Sequence, residues 1–161
     1  MNKYGLTVFI ALFVVIFDQI TKIIIRSSLA LFEKIPVLPF LNVVHVRNPG
    51  AAFGILNDLP ENVRMPLFAL VLIVAIVAIF TFLKKTGDKN MLQVFSLSLI
   101  LGGAIGNSID RFRFGYVTDF IDLHWFGDPK YHWPAFNIAD SAITIGVILI
   151  LFETLFLKRD N

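Results

Sequence analysis

Residues 66–83 read PLFALVLIVAIVAIFTFL, an unbroken apolar run without one charged side chain. Such a run is a candidate membrane span, since about 20 apolar residues cross the hydrocarbon core. Three further stretches meet the same criterion. Tyr4–Arg26 is interrupted by Asp18, Gln19 and Lys22, and Met91–Ile109 ends in a glycine-rich patch. Asn137–Leu157 carries Asp140 near its start and Glu153 near its end. Of the 161 residues, 57% are hydrophobic, against roughly 45–50% in soluble domains. The pattern predicts an all-α integral membrane protein with four transmembrane helices, organised as one domain over residues 1–161.

Composition excludes several classes. A net charge of +2 without a Lys/Arg block gives no footing for nucleic acid. The absence of cysteine removes disulfides, thiolate metal sites and a thiol nucleophile. His45, His124 and His132 have no metal-binding spacing, so no metal and no cofactor is expected. The first span begins after Lys3, and Ser28-Leu29-Ala30 weakly resembles a cleavage site. Its length and its internal Asp18 and Lys22 argue that it is retained.

Short Lys/Arg-rich connections stay in the cytoplasm. Lys84, Lys85 and Lys89 lie between the second and third spans, Lys3 at the amino end, and Lys158 and Arg159 in the tail. Alternating helices put all of these on one side, so both ends are expected to be cytoplasmic. The longer loops, about Ser27–Met65 and Asp110–Phe136, then face outward. On that topology Asp18 and Lys22 fall in the outer half of the first span. Asn107, Asp110 and Arg111 fall at the outer end of the third, and Asn137 and Asp140 at the outer end of the fourth. Intramembrane ionisable groups are costly and mark function by default. Their convergence at one level predicts a site near the outer surface.

The outer loops are only partly regular. Leu41–Arg47 is rich in β-branched residues and predicts a strand, followed by the turn signal Asn48-Pro49-Gly50. Ala51-Ala52-Phe53-Gly54 keeps the backbone approachable, and Asn57–Arg64 is expected to form a short surface helix. Tyr116, His124, Trp125, Tyr131 and Trp133 suit the headgroup level.

Two carboxylates brought close cannot both ionise cheaply, so one keeps its proton and the pair offers an acid and a base together. Asp119 and Asp140 are candidates for such a pair, with Asp122 as a rival partner. Each also has an ordinary reading. Asn137-x-x-Asp140 resembles a capping arrangement at a helix start, and Asp119 and Asp122 suit turns. Asn107, Asp110 and Arg111 share one helical face, and Asp18 and Lys22, four apart, can neutralise each other. Gly102-Gly103-Ala104-Ile105-Gly106 permits close helix approach.

At these residues the chain strongly resembles the lipoprotein signal peptidases, or signal peptidase II, along nearly its whole length. The segments are Asp18-Gln19-Ile20-Thr21-Lys22, Asn48-Pro49-Gly50-Ala51-Ala52-Phe53, Gly102 to Arg111, Val117-Thr118-Asp119-Phe120 and Phe136-Asn137-Ile138-Ala139-Asp140. The resemblance implies a membrane aspartyl endopeptidase. It would remove the signal peptide from bacterial prolipoproteins on the amino side of a diacylglyceryl-modified cysteine. It implies Asp119 and Asp140 as the catalytic pair, which demotes Asp122. Asn48, Gly50, Arg111 and Asn137 would lie around the pair, with Asn107, Asp110, Asp18 and Lys22 in support. It also implies an extracytoplasmic β-rich cradle, a monomer among inner-membrane lipids, and inhibition by globomycin-type lipopeptides. Two other classes fit intramembrane acids: a proton- or cation-coupled transporter, and a scaffold whose acids cap and pair helices. Transporter sites usually lie at the midplane between repeated halves, and no halves repeat here.

Overall fold

The computed structural model describes residues 2–51, 55–87, 90–124 and 133–157. Four helices, α1 (Lys3–Ser28), α2 (Glu61–Lys85), α3 (Met91–Phe114) and α4 (Ile138–Phe152), are joined by a small sheet. Its strands are β1 (Lys34–Leu38), β2 (Leu41–Asn48) and β3 (Val117–Leu123). A π-helical turn, Glu153–Leu157, continues α4. The helices, with this turn added to α4, are long and apolar enough to cross a membrane.

Burial is inverted relative to a soluble protein. Leu70, Val74 and Val77 of α2, Phe13 of α1 and Ile148 of α4 are exposed. Thr7, Asp18, Lys22, Ser96, Ser98, Asp110 and Asn137 are fully buried. A lipid solvent accounts for this, because apolar side chains gain nothing from leaving it and polar ones must find partners inside. α3 is the central helix, packing against the other three. Its glycines allow that. A Cβ at Gly103 would collide with the Ala139 carbonyl of α4, and one at Gly106 would lie 2.8 Å from Asp18 Oδ2 of α1. Away from the sheet, Ala11, Ile79, Leu83, Val94, Leu97 and Leu101 form an apolar core.

Asparagine caps three helices. Asn2 accepts from the Gly5 amide, Asn90 from that of Gln93 and Asn137 from that of Asp140. Asn137 and Asp140 form the reciprocal capping box their spacing predicts. α3 runs past the expected end at Ile109 to Phe114, so Asp110 and Arg111 are helical. It stops at Gly115, whose φ of 77° suits a residue without a side chain.

The sheet is antiparallel in the order β1-β2-β3. The Leu41–Arg47 strand forms as expected, extended to Asn48. β1 and β3 are additions to the sequence reading. β1 contains Pro36, which argues against a strand except at a sheet edge, and β1 is an edge. β3 is covered on both faces, so it lacks the alternation of a half-buried strand. Val43 pairs with Ile121 and Val46 with Asp119, so β2 carries one extra residue between them. This bulge buries Val44 and His45 in succession and sets the register of Asn48 beside β3. Bulges often re-aim side chains next to sites.

The separate surface helix expected at Asn57–Arg64 does not form. Residues 55–58 make a turn, and residues 61–64 are the first turn of α2. Pro60 occupies the cap position with φ −56°, pre-set for a helix starting at once. Arg64 is buried and donates to the carbonyls of Asn57 (3.4 Å) and Leu59 (3.3 Å), closing the turn onto the helix. Pro66, the expected start of the span, lies inside α2. Trp125, Tyr131, His132, Lys89, Lys158, Arg159 and residues 52–54 lie outside the described residues.

Candidate active site

Five elements, α1, β2, α3, β3 and α4, bring the polar residues to the sheet-bearing end of the bundle. β3 presents Asp119 and the start of α4 presents Asp140. Asn137 stands between them. Its side-chain nitrogen donates to Asp119 Oδ1 at 2.7 Å, while its own amide donates to Asp140 Oδ2 at 3.2 Å. Its side-chain oxygen accepts from the Asp140 amide at 2.9 Å. The capping reading of Asn137 and Asp140 is therefore correct, and it is also what ties the two carboxylates together.

The remaining carboxylate oxygens are held as well. Asn48 Nδ2, at the end of β2, donates to Asp119 Oδ2 at 3.1 Å. Asn107 Nδ2, on α3, donates to Asp140 Oδ1 at 2.7 Å. Behind Asn107 lies a buried ionic cluster. Lys22 Nζ donates to Asn107 Oδ1 at 2.9 Å, and lies 2.9 Å from Asp18 Oδ2 and 3.5 Å from Asp110 Oδ2. Asp18 Oδ1 accepts the Ala139 amide and Asp110 Oδ2 accepts the Thr118 amide, at 2.9 and 3.0 Å. These bonds lock the first turn of α4 and the start of β3 to α1 and α3. A charge buried this deeply requires such pairing. The Asp18–Lys22 neutralisation read from spacing is present, but it is one part of a wider network.

The turn after β2 closes one side. Asn48 Oδ1 accepts the Gly50 amide at 3.1 Å, and Arg111 Nη2 donates to the Gly50 carbonyl at 2.8 Å. The Arg111 guanidinium lies 4.2 Å from the Phe68 ring centre. A Cβ at Gly50 would collide with the Ile55 carbonyl and the Asn57 side chain, so only glycine fits this turn.

Asn48, Asn107, Arg111, Asp119 and Asp140 line one cavity of about 790 Å³, together with the apolar Ile143 and Ile145 of α4. A lining of polar and apolar side chains suits a substrate with both characters. Asp119 is almost completely buried. Burial first, and the neighbouring Asp140 second, push its pKa up to about 7, against the hydrogen bonds from Asn48 and Asn137. Asp122 lies elsewhere. It stands three residues from Asp119 on the strand, hence on the opposite face. Asn42 Nδ2 donates to it at 2.7 Å and Lys34 lies 3.7 Å away.

All ten expected site residues thus fall in one connected network. Sequence reasoning omitted Gln19, which donates to the Gly106 carbonyl and Asp110 Oδ1. Its position between Asp18 and Lys22 in an apolar span was the available signal. It also omitted Phe68, which nothing in the sequence sets apart from its apolar neighbours.

A sequence model of the family described as signal peptidase (SPase) II matches residues 10–156. A lipoprotein signal peptidase of Syntrophotalea carbinolica is 47% identical over 94% of this chain and 91% of its own length. One of Staphylococcus aureus is 44% identical over 96% and 91%. A solved bacterial membrane enzyme, determined by the in meso method at 2.3 Å, is 41% identical with a TM-score of 0.82, covering 100% of this chain and 98% of its own. A second, at 1.9 Å, is 42% identical with a TM-score of 0.81, covering 98% and 95%. In sequence along nearly all its length, and in the folding of its helices and sheet, the chain belongs to the signal peptidase II family.

Proposed function

We propose that Asp119 and Asp140 are the acid–base pair of this membrane enzyme. Its activity is that of its family: an aspartic endopeptidase that removes the signal peptide from diacylglyceryl-modified bacterial prolipoproteins, cleaving on the amino side of the lipidated cysteine. It is a multi-pass protein of the inner membrane. The observation that carries the catalytic assignment is Asn137, which bonds both carboxylates at the edge of the cavity.

In this reading Asp119 holds the proton near neutral pH, in keeping with its raised pKa of about 7. Asp140 takes a proton from water as the oxygen attacks the scissile carbonyl carbon. Asp119 gives its proton to the carbonyl oxygen, leaving a tetrahedral diol. Asp140 then passes its proton to the leaving nitrogen, and Asp119 recovers one from the diol as the C–N bond breaks. The pair returns to its starting state with one water consumed. Arg111 and Asn48 hold the Gly50 turn and orient the substrate backbone. Asn107, Lys22, Asp18 and Asp110 fix Asp140 and β3 in place.

The cavity faces the outer leaflet, both chain ends are cytoplasmic, and the enzyme acts as a monomer. The lysines of the α2–α3 connection support that orientation. A diacylglyceryl group anchored in the outer leaflet brings the adjacent peptide bond to the level of Asp119 and Asp140, while the apolar signal segment lies along α4. Globomycin-type lipopeptides would occupy the same cavity. The test is cleavage of a diacylglyceryl-modified prolipoprotein by purified Asp119→Asn and Asp140→Asn. Each is expected to lose about 10³-fold or more, while still inserting in the membrane. Cleavage near the unmodified rate by either would refute the assignment.

A further inference from the structure

The sheet-bearing end of the bundle holds a second cluster beside the hydrolytic site, with Arg47 also on the lining of its cavity. Arg26 is in the last turn of α1 and Arg113 in the last turn of α3. Both guanidiniums lie over the Phe114 ring, 4.7 and 5.0 Å from its centre. Phe114 stacks with Tyr116 at 5.8 Å, and Arg47 of β2 lies 4.7 Å over Tyr116. Three guanidiniums thus gather on a two-ring stack. Arg26 has acid support, 3.5 Å from Asp110, and donates to Thr118 Oγ1 at 3.0 Å. Among the described residues, Arg47 and Arg113 have no carboxylate within ion-pair distance. Glu61 reaches this turn beside Gly115 but pairs with none of the three.

A cation at a helix C-terminus is favourable, which accounts for Arg26 and Arg113 singly. It does not account for two of them sharing one ring with a third beside it, since converging like charges repel. Arg47 and Arg113 are exposed, and so are Ile23, Ile24 and Phe112, apolar side chains within about a turn and a half of the ends of α1 and α3. The cluster therefore sits where hydrocarbon gives way to headgroups, with planar donor forks suited to phosphate.

We infer that Arg26, Arg47 and Arg113, arrayed on Phe114 and Tyr116, form a binding site for the phosphate of an anionic phospholipid. Its acyl chains run down the exposed apolar side of α1 and α3. This site adjoins the cavity, which Arg47 also lines, but the inference does not depend on the role of the paired carboxylates.

The test uses the purified full-length chain in detergent, with native mass spectrometry counting retained phosphatidylglycerol against phosphatidylcholine. The wild type is expected to retain phosphatidylglycerol preferentially. Arg47→Gln/Arg113→Gln should reduce that preference roughly tenfold or more, the scale of two basic residues at an anionic surface. Arg47→Lys/Arg113→Lys should keep part of it, and Lys84→Gln/Lys85→Gln, at the other end, all of it. Thermal unfolding of each variant establishes that it is folded. An equal affinity of the wild type for both lipids would overturn the inference, as would a folded Arg47→Gln/Arg113→Gln protein with its preference intact. Displacement of the lipid by inorganic phosphate would mark a site for the free anion and also overturn it.

Discussion

Helices α2 and α3 are of nearly equal length, 25 and 24 residues, yet they meet different surroundings. α2 is apolar on every side, and apart from Arg64 its buried residues are Ile79 and Leu83. α3 buries ten residues, among them Ser96, Ser98, Asn107, Asp110 and three glycines. The helix that most plainly announces a membrane protein contributes little chemistry, chiefly Phe68 beneath Arg111. The less typical one carries Asn107, Asp110 and Arg111 into the site. In lipid, apolar contact does little to select one helix neighbour over another. Small residues and hydrogen-bonding groups do so instead, and function is built where they collect.

The largest expected departure between the two helices comes from the charge buried against α3. Lys22→Met would leave Asp18 and Asp110 without their shared cation, an effect of about 3–5 kcal/mol for a broken buried pair. Thermal unfolding of the purified protein should show it, together with loss of cleavage, since Asn107 loses the partner that orients it toward Asp140. Next comes packing. Gly103→Val drives a side chain into the Ala139 carbonyl, and overpacking of this kind costs about 1–3 kcal/mol. Val74→Ala on the exposed face of α2 should stay within about 0.5 kcal/mol. Equal unfolding shifts for these two would remove the distinction between the helices.

A smaller effect follows from Asp119. Its pKa rises from an ordinary 3.8 to about 7 in the folded protein. The native state therefore holds a proton that the unfolded chain releases, so Asp119 favours folding at low pH and that contribution is lost as pH rises from about 4 through 7. Asp119→Asn should flatten this part of the stability profile. Cleavage by the unaltered enzyme should fall about tenfold per pH unit above that pKa if the protonated form is required. A rate that keeps rising beyond pH 8 would contradict the assigned proton.

Much of this was legible in the residues. Four apolar runs fixed the helices, and the intramembrane acids and amides marked one end of the bundle. The capping box at Asn137 and Asp140 was readable from spacing alone. What hid was long-range. Asp119 and Asp140 are 21 positions apart on different elements, and only the fold puts Asn137 between them. β3 escaped notice because both its faces are covered, and β1 because Pro36 disguises an edge strand. The surface helix was misread because a polar helical segment looks the same whether it stands alone or opens a span. Pro60, not Pro66, held the answer.

The most direct measurement is a double-mutant cycle on cleavage of a diacylglyceryl-modified prolipoprotein, comparing Asp119→Asn, Asp140→Asn and the double variant. Residues that act as a unit give non-additive losses. The double variant is therefore predicted to be no slower than the slower single one. Losses that multiply would show two carboxylates contributing separately, and the paired mechanism would fail.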